Sequence, residues 1–241
     1  MALPKIDTPV YDLTLPLSKK QIRFRPFLVK EQKNLMMAME ADDKETIQRN
    51  VKQVLINCTL NDDIDVEALP VVDIEYYFLN LRARSVGEVV ENKYVCTNEV
   101  DGKQCGNKME AKFNLLDVEV EFDPNIKDEI QLTNNITIKL KYPQFSVIEK
   151  LSNMSSAVDL VFEVITDSVE YIYDGEQFYY ANETPKQELL QFIESLSQDQ
   201  FSKLENFFNN LPKLTKTVDM KCSKCGFDHT IYMEGLESFF G

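Results

Sequence analysis

Two short stretches decide how this chain is built: Val95-Cys96-Thr97-Asn98-Glu99-Val100-Asp101-Gly102-Lys103-Gln104-Cys105-Gly106 and Lys221-Cys222-Ser223-Lys224-Cys225-Gly226. Cys222 and Cys225 have the two-residue spacing that lets both thiolates turn toward one metal ion. Cys96 and Cys105 form a looser pair whose intervening segment contains the turn-forming Asp101-Gly102. The glycine after each second cysteine takes φ > 0 without steric cost, so a tight turn there can aim backbone N–H groups at the sulfurs. Lys93, Lys103, Lys108, Lys221 and Lys224 flank the clusters and offset the double negative charge of zinc held by four thiolates. Disulfides are the competing reading. The odd total of 5 cysteines and the lack of a secretory signal argue against them, and plain buried thiols are the third alternative. Four thiolates fill a tetrahedral sphere and leave no position for water, so Zn2+ on Cys96, Cys105, Cys222 and Cys225 is expected to be structural. His229, the single histidine, is read as a bystander beside the second knuckle, and Cys58 as a small core residue.

Outward from the cysteines, strand patterns flank each cluster. Glu88 to Val95 enters the first as a strand and Lys108 to Phe122 leaves it as one, with a further short strand at Ile136, Ile138 and Leu140. Val218 to Met220 and Thr230 to Tyr232 repeat the plan around the second. The spacing predicts an α+β fold: a mostly helical protein with a split four-cysteine zinc-ribbon β module and an N-terminal β-hairpin. The expected units are the hairpin (1–30), a helical segment (31–87), the split ribbon (88–142 with 213–241) and a helical insertion (143–212).

Within those units, Ile22 and Phe24 alternate with Arg23 and Arg25 as on a half-buried strand. Helices are predicted over Lys30–Met39, after a cap at Asp42 or Asp43, and after Pro70, the last ending at Arg82-Ala83-Arg84-Ser85-Val86-Gly87. In the insertion, Ser156 with Asp159, Thr184 with Gln187 and Ser197 with Gln200 predict three helix starts, and Asp174-Gly175 predicts a hairpin between aromatic strands.

Composition narrows function. The 241 residues carry a net charge of -14, which repels phosphate backbones and disfavours nucleic-acid binding, a common use of small zinc ribbons. No apolar run reaches the ~18 residues of a membrane span. There is no phosphate-binding loop, dinucleotide fingerprint or nucleophile elbow, and one histidine cannot serve both a metal and acid–base work. A non-enzymatic protein is expected. The rival is a zinc-ribbon nucleic-acid-binding or transcription-associated protein, which would need Arg23, Arg25, Arg82, Arg84 and Lys93 on one face. Reduced thiols without a targeting signal place the chain in a cytosol.

The run Tyr77-Phe78-Leu79-Asn80-Leu81-Arg82-Ala83-Arg84-Ser85-Val86-Gly87-Glu88, the two cysteine clusters and the ending Gly235-Leu236-Glu237-Ser238-Phe239-Phe240 carry a family resemblance. Together the sequence resembles the baseplate proteins of T-even-like contractile-tailed phages, and among them the baseplate hub subunit or hub-assembly family. The resemblance implies a structural or assembly protein whose partners are other phage tail and baseplate hub proteins, with no covalent chemistry. It implies the host cytoplasm during assembly, with the virion tail baseplate as a second location, and leaves self-association open. On this reading Arg82, Arg84, Leu236, Phe239 and Phe240 face a partner. The structural alternatives are arginines closing a helix C-terminus and phenylalanines folded onto the core.

Overall fold

A computed structural model describes residues 6–40, 44–147 and 156–239. The alternating N-terminal segment forms a hairpin of β1 (Tyr11–Thr14) and β2 (Gln21–Phe24), registered from Tyr11↔Phe24 to Thr14↔Gln21. Ile22 and Phe24 are buried, whereas Arg23 on the wet face pairs with Asp12 at 3.4 Å. Three helices follow: α1 (Val29–Glu40), α2 (Lys44–Cys58) and α3 (Val71–Val86). The cap expected at Asp42 or Asp43 lies outside the described residues.

α3 is buried on two opposite sides. Successive helical residues advance by about 100°, so Ile74, Tyr77 and Leu81 share one stripe while Tyr76, Leu79 and Ala83 share another roughly half a turn away. The first stripe packs with Leu15, Ile22, Phe24, Val54, Leu55 and Cys58 under the hairpin and α2. The second packs beneath the cysteine-bearing strands.

Two buried carboxylates tie the hairpin to these helices. Asp73, fully buried in the first turn of α3, accepts the N–H groups of Leu17 and Ser18 at 2.8 Å each, fixing the β1–β2 turn. Glu31, also buried, accepts the Leu28 N–H at 2.7 Å and the Arg25 guanidinium at 3.0 Å. Arg25 also donates to the Asn57 carbonyl at 3.1 Å, satisfying the end of α2.

The next strands are β3 (Val89–Val95), β4 (Glu99–Val100), β5 (Lys103–Gln104) and β6 (Lys108–Asn114). β3 pairs with β6 from Val89↔Asn114 to Val95↔Lys108, and the short β4–β5 hairpin forms the tip. The strand expected over Lys108–Phe122 is broken. Asn114 caps a 3-10 turn at Leu115–Asp117 by accepting the Leu116 N–H, and Leu115 is fully buried. The chain then leaves as β7 (Glu119–Glu121) to join a different sheet.

β8 (Glu129–Gln131) and β9 (Thr137–Leu140) follow, then α4 (Ala157–Asp167), β10 (Val169–Tyr173), β11 (Phe178–Tyr180), α5 (Lys186–Glu194) and α6 (Gln198–Asn209). The strand at Ile136–Leu140, read with the ribbon, instead belongs to a four-stranded sheet of order β11-β10-β9-β8. Its apolar side chains explain the change: Ile138 and Leu140 share a core with Ile165, Ile172, Leu189, Ile193 and Phe207. Ser156 and Ser197 cap α4 and α6 as expected, the second as a full capping box. Thr184 does not cap α5. Its hydroxyl donates to the Tyr180 carbonyl at 2.9 Å in the turn after β11, and Pro185 stands at the cap.

Last come β12 (Lys213–Lys221) and β13 (Asp228–Glu234), registered from Thr215↔Glu234 to Lys221↔Asp228, with β7 on the other side of β12. The fold is α+β, but an expectation of a mostly helical protein overstates the helices: thirteen strands in five sheets accompany them among the described residues.

A 3-10 turn at Leu236–Phe239 folds the chain end back. Phe239, placed among the partner-facing residues with a fold onto the core as its alternative, takes the alternative: it is fully buried and meets Phe113 edge-on at 6.1 Å, within a core shared by Leu79, Val90, Leu115, Leu214 and Met233. Phe240 lies outside the described residues. The chain end up to Phe239 therefore closes the core between α3 and both cysteine hairpins, and cutting after Glu234 would open that core.

Phe239→Ala should lower unfolding free energy by about 3 kcal/mol, measured by urea denaturation; a change below about 0.5 kcal/mol would contradict its core role. Glu31 gives a second expectation. Burial works to raise its carboxyl, but the Arg25 guanidinium and the Leu28 N–H outweigh this and hold it below the ordinary 4.5. A depressed carboxyl stabilises the fold above about pH 4.5, and this stabilisation is lost as pH falls through the lower folded value. Glu31→Gln should therefore flatten the decline of unfolding free energy between about pH 5 and pH 3.

Candidate metal centre

The two knuckles meet at the turn ends of the β3–β6 and β12–β13 hairpins. Cys96 follows β3 and Cys105 follows β5, while Cys222 and Cys225 occupy the turn between β12 and β13. The four sulfurs all lie within 4.8 Å of one another. Cys96 Sγ stands 3.6 Å from Cys225 Sγ, and Cys105 Sγ stands 3.9 Å from Cys222 Sγ. A disulfide needs about 2.05 Å, and all four thiols are free. Four thiolates at about 2.3 Å from one ion would stand about 3.8 Å apart along each tetrahedral edge. The observed separations bracket that value, so the set fits a single metal ion.

Each knuckle is closed by backbone bonds. Cys96 N–H donates to the Asn107 carbonyl at 2.8 Å, and Gly106 N–H to the Cys96 carbonyl at 3.1 Å. The second repeats this, with Gly226 N–H donating to the Cys222 carbonyl at 2.9 Å. Gly106 and Gly226 have φ of 64° and 73°, the left-handed conformation the turns require. The turns aim backbone N–H groups at sulfur as expected, while the glycine N–H groups themselves bind carbonyls. The backbone donors toward sulfur are Asn98 for Cys96, and Cys225 and Lys224 for Cys222.

Those donors set the chemistry of the thiols. The N–H groups of Cys225 and Lys224, acting against burial, pull the Cys222 thiol down to about 6. Burial pushes Cys96 up to about 12. One thiolate forms easily, but four close thiolates need a cation among them. Lys224, one of the lysines expected to offset charge, donates its ammonium to the Cys105 carbonyl at 3.0 Å.

Two asparagines escaped the sequence reading. Asn98 and Asn107 each stand two residues after a cysteine of the first cluster, and each reaches across to the second. Asn98 Nδ2 donates to Cys225 Sγ at 3.7 Å, and Asn107 Nδ2 to Cys222 Sγ at 3.5 Å and Ser223 Oγ at 3.2 Å. The repeated Cys-x-Asn spacing is the signal that could have exposed them. His229, on β13, is closer than a bystander: its Nε2 lies 3.1 Å from Cys96 Sγ, while the metal-sized group itself comprises the four sulfurs. With its proton on Nε2, the imidazole donates to that thiolate.

The residues expected to face a partner lie elsewhere. Arg82 donates to the Gly87 carbonyl at 3.1 Å, closing the end of α3. Arg84 pairs with Glu88 one turn on and lies 5.0 Å over the Tyr11 ring, joining α3 to the first hairpin. Leu236 is half-buried against the core that holds Phe239.

The sequence model of the family described as "T4 bacteriophage base plate protein" matches residues 8–241. The chain is 24% identical over 231 residues to "Baseplate hub assembly protein gp26" of Enterobacteria phage T4, covering 95% of this chain and 97% of that protein. No solved structure matches.

Asn107→Ala leaves all four sulfurs in place but removes the cross-knuckle donor to Cys222. A bound divalent ion should be held about tenfold more weakly, read by competition with a chromogenic chelator. Equal affinity in the two proteins would show that the amide only shapes the loop.

Proposed function

The chain belongs to the T4 bacteriophage base plate protein family, and on that premise we propose that it is a non-enzymatic assembly or structural protein of a contractile-tail baseplate hub. It acts by contacts with other tail and baseplate hub proteins, in the host cytoplasm while the baseplate is built. The observation that carries the reading is the end-to-end likeness to a baseplate hub assembly protein, which spans nearly the whole of both chains. The family match over residues 8–241 includes the cysteine hairpins and the chain end, so it is not confined to one shared module.

The metal we assign to the centre is Zn2+, held by Cys96, Cys105, Cys222 and Cys225 in a structural role. The all-sulfur donor set supports this, since tetrahedral thiolate sites suit zinc and leave no coordination position for a reacting water. Its work is mechanical. The contact between Cys96 and Cys225 joins residues 129 apart, so the ion clasps the two hairpins across everything between them. The clasped insertion starts with β8, since its sheet takes two strands from before residue 143.

Two observations weigh against the rival classes. The arginines a nucleic-acid face would need are engaged one by one: Arg23 with Asp12, Arg25 with Glu31, Arg82 with a carbonyl and Arg84 with Glu88. Glu31 and Asp174 are both held below the ordinary carboxylate range, opposite to a general acid poised near neutrality. Of the expected partner-facing residues, Arg84 remains the best placed, exposed at the corner between α3 and the first hairpin.

The test is co-purification of the tagged chain with baseplate hub proteins from infected cells, with metal analysis of the recovered protein. About one zinc per chain is expected, and Arg84→Ala should reduce recovery of the partner while leaving the circular dichroism spectrum unchanged. Recovery of nucleic acid in place of hub proteins, with a steep salt dependence, would overturn the reading.

A further inference from the structure

The sheet β11-β10-β9-β8 has one face in the core and one in solvent, and its registers order the outer face. Tyr171 stands opposite Tyr180 and Tyr173 opposite Phe178, with Lys139 and then Glu129 continuing the first row. Ile138 and Ile172, one residue out of step, point inward to the core. Four aromatic rings therefore share the solvent face. Phe178 stacks on Tyr173 at 4.6 Å and lies 6.0 Å from Tyr180, and Tyr171 meets Phe178 edge-on at 5.2 Å.

Phe178 is 50% and Tyr180 44% exposed, on the edge strand of the sheet. Neither serves the metal centre or the cores beneath α3. Beside the rings carboxylates outnumber cations, with Lys127 lining the same hollow as Tyr173 and Phe178. Glu129 accepts the Tyr171 hydroxyl at 2.6 Å, and Asp174 is held ionised by the N–H groups of Gln177 and Glu176 and the Tyr179 hydroxyl. The hydrogen bond to Glu129, burial, and the further charges of Glu170 and Asp128 push the Tyr171 phenol up to about 12. Lys139, the cation in that row, is already paired with Asp128 at 3.1 Å.

We propose that this aromatic, carboxylate-rimmed sheet face is a docking surface for an arginine-bearing basic segment of a protein partner. The chemistry selects that occupant. Guanidinium groups stack on aromatic faces while their N–H groups reach carboxylates, and Arg with Tyr and Phe is the pairing enriched at interface cores. An apolar partner would leave the carboxylates desolvated without a counter-charge, and an acidic one would be repelled. The proposal rests on the reading that the chain works through protein contacts, and it needs neither the metal nor the identity of the hub partner.

The test uses the purified full-length chain and a fluorescein-labelled peptide of arginines spaced by serine and glycine, with its citrulline counterpart as the uncharged control. Fluorescence anisotropy should show saturable binding of the arginine peptide, weakened about tenfold or more by citrulline. Phe178→Thr with Tyr180→Thr keeps strand propensity and net charge, and should weaken binding about tenfold with an unchanged circular dichroism spectrum. Glu129→Gln keeps an acceptor for Tyr171 and should weaken it about threefold. Three results would each overturn the proposal: equal binding to the threonine variant, which would mean diffuse attraction to an acidic protein; equal binding of the citrulline peptide; or self-association abolished by the threonine substitutions, which would make a second copy the occupant. Failure here with intact recovery of hub proteins would reject this surface and leave the baseplate role standing.

Discussion

Two hairpin tips separated by more than a hundred residues have to arrive at one point before four sulfurs can share an ion. The sulfur separations of 3.6 and 3.9 Å leave little room for misplacement of either hairpin, and most of the chain serves to remove that room. Both hairpins stand on one core, built on the second stripe of α3 and closed by Leu115, Leu214 and Phe239. The first stripe of the same helix seats the N-terminal hairpin and α2. α3 is thus a shared wall, and a shift along it would be felt at both ends. The entropic cost of closing so long a loop grows only logarithmically, about 0.6 kcal/mol per doubling of length. A clasp with strong metal–thiolate bonds can therefore tolerate a large insertion between its halves.

Local chemistry made much of this legible. The cysteine spacing, the Asp-Gly turn, the serine caps and the proline before α3 each act within a few residues, where sequence order and spatial order coincide. Losses came where distant parts decide. The Ile136–Leu140 strand has the same alternation whichever sheet it joins, and its Ile138 pairs with Ile172, 34 residues on, rather than with the ribbon. Thr184 carries a valid capping pattern, but the helix starts at Lys186 with Pro185 in the cap position, which leaves the Thr184 hydroxyl one residue too early and donating to the Tyr180 carbonyl. Phe239 resembled an exposed terminal anchor because nothing adjacent showed the cavity that both hairpins and α3 leave for it.

The centre divides in the same way. The four cysteines were identifiable by spacing, since metal ligation fixes residue type and separation together. Asn98 and Asn107 were not, because an asparagine two residues past a cysteine is also an ordinary loop residue. Only the meeting of the two knuckles shows that each amide points at a sulfur of the other cluster. The same holds for His229, whose contact with Cys96 crosses from the second hairpin to the first. In each case the donor and the sulfur belong to opposite halves. These contacts therefore form only when the clasp closes, and they reinforce the closed state without stabilising either knuckle alone.

The same economy of long-range contacts bears on how an acidic protein keeps its surfaces distinct. A net charge of -14 is spread over a chain whose N-terminal arginines are held in local pairs, so the free carboxylates are left to define the outward field. Diffuse negative charge alone attracts every basic surface and discriminates among none. Discrimination needs fixed shape beside the charge, and the sheet of β8 to β11 supplies it, because its inner face is locked into a core by Ile138 and Ile172 and its outer rings hold a set register. A metal clasp of the kind proposed would close the chain around that insertion and fix where it begins and ends relative to α3. On the proposed reading, a metal would set the placement of a body, and the aromatics would give that body a face for recognition.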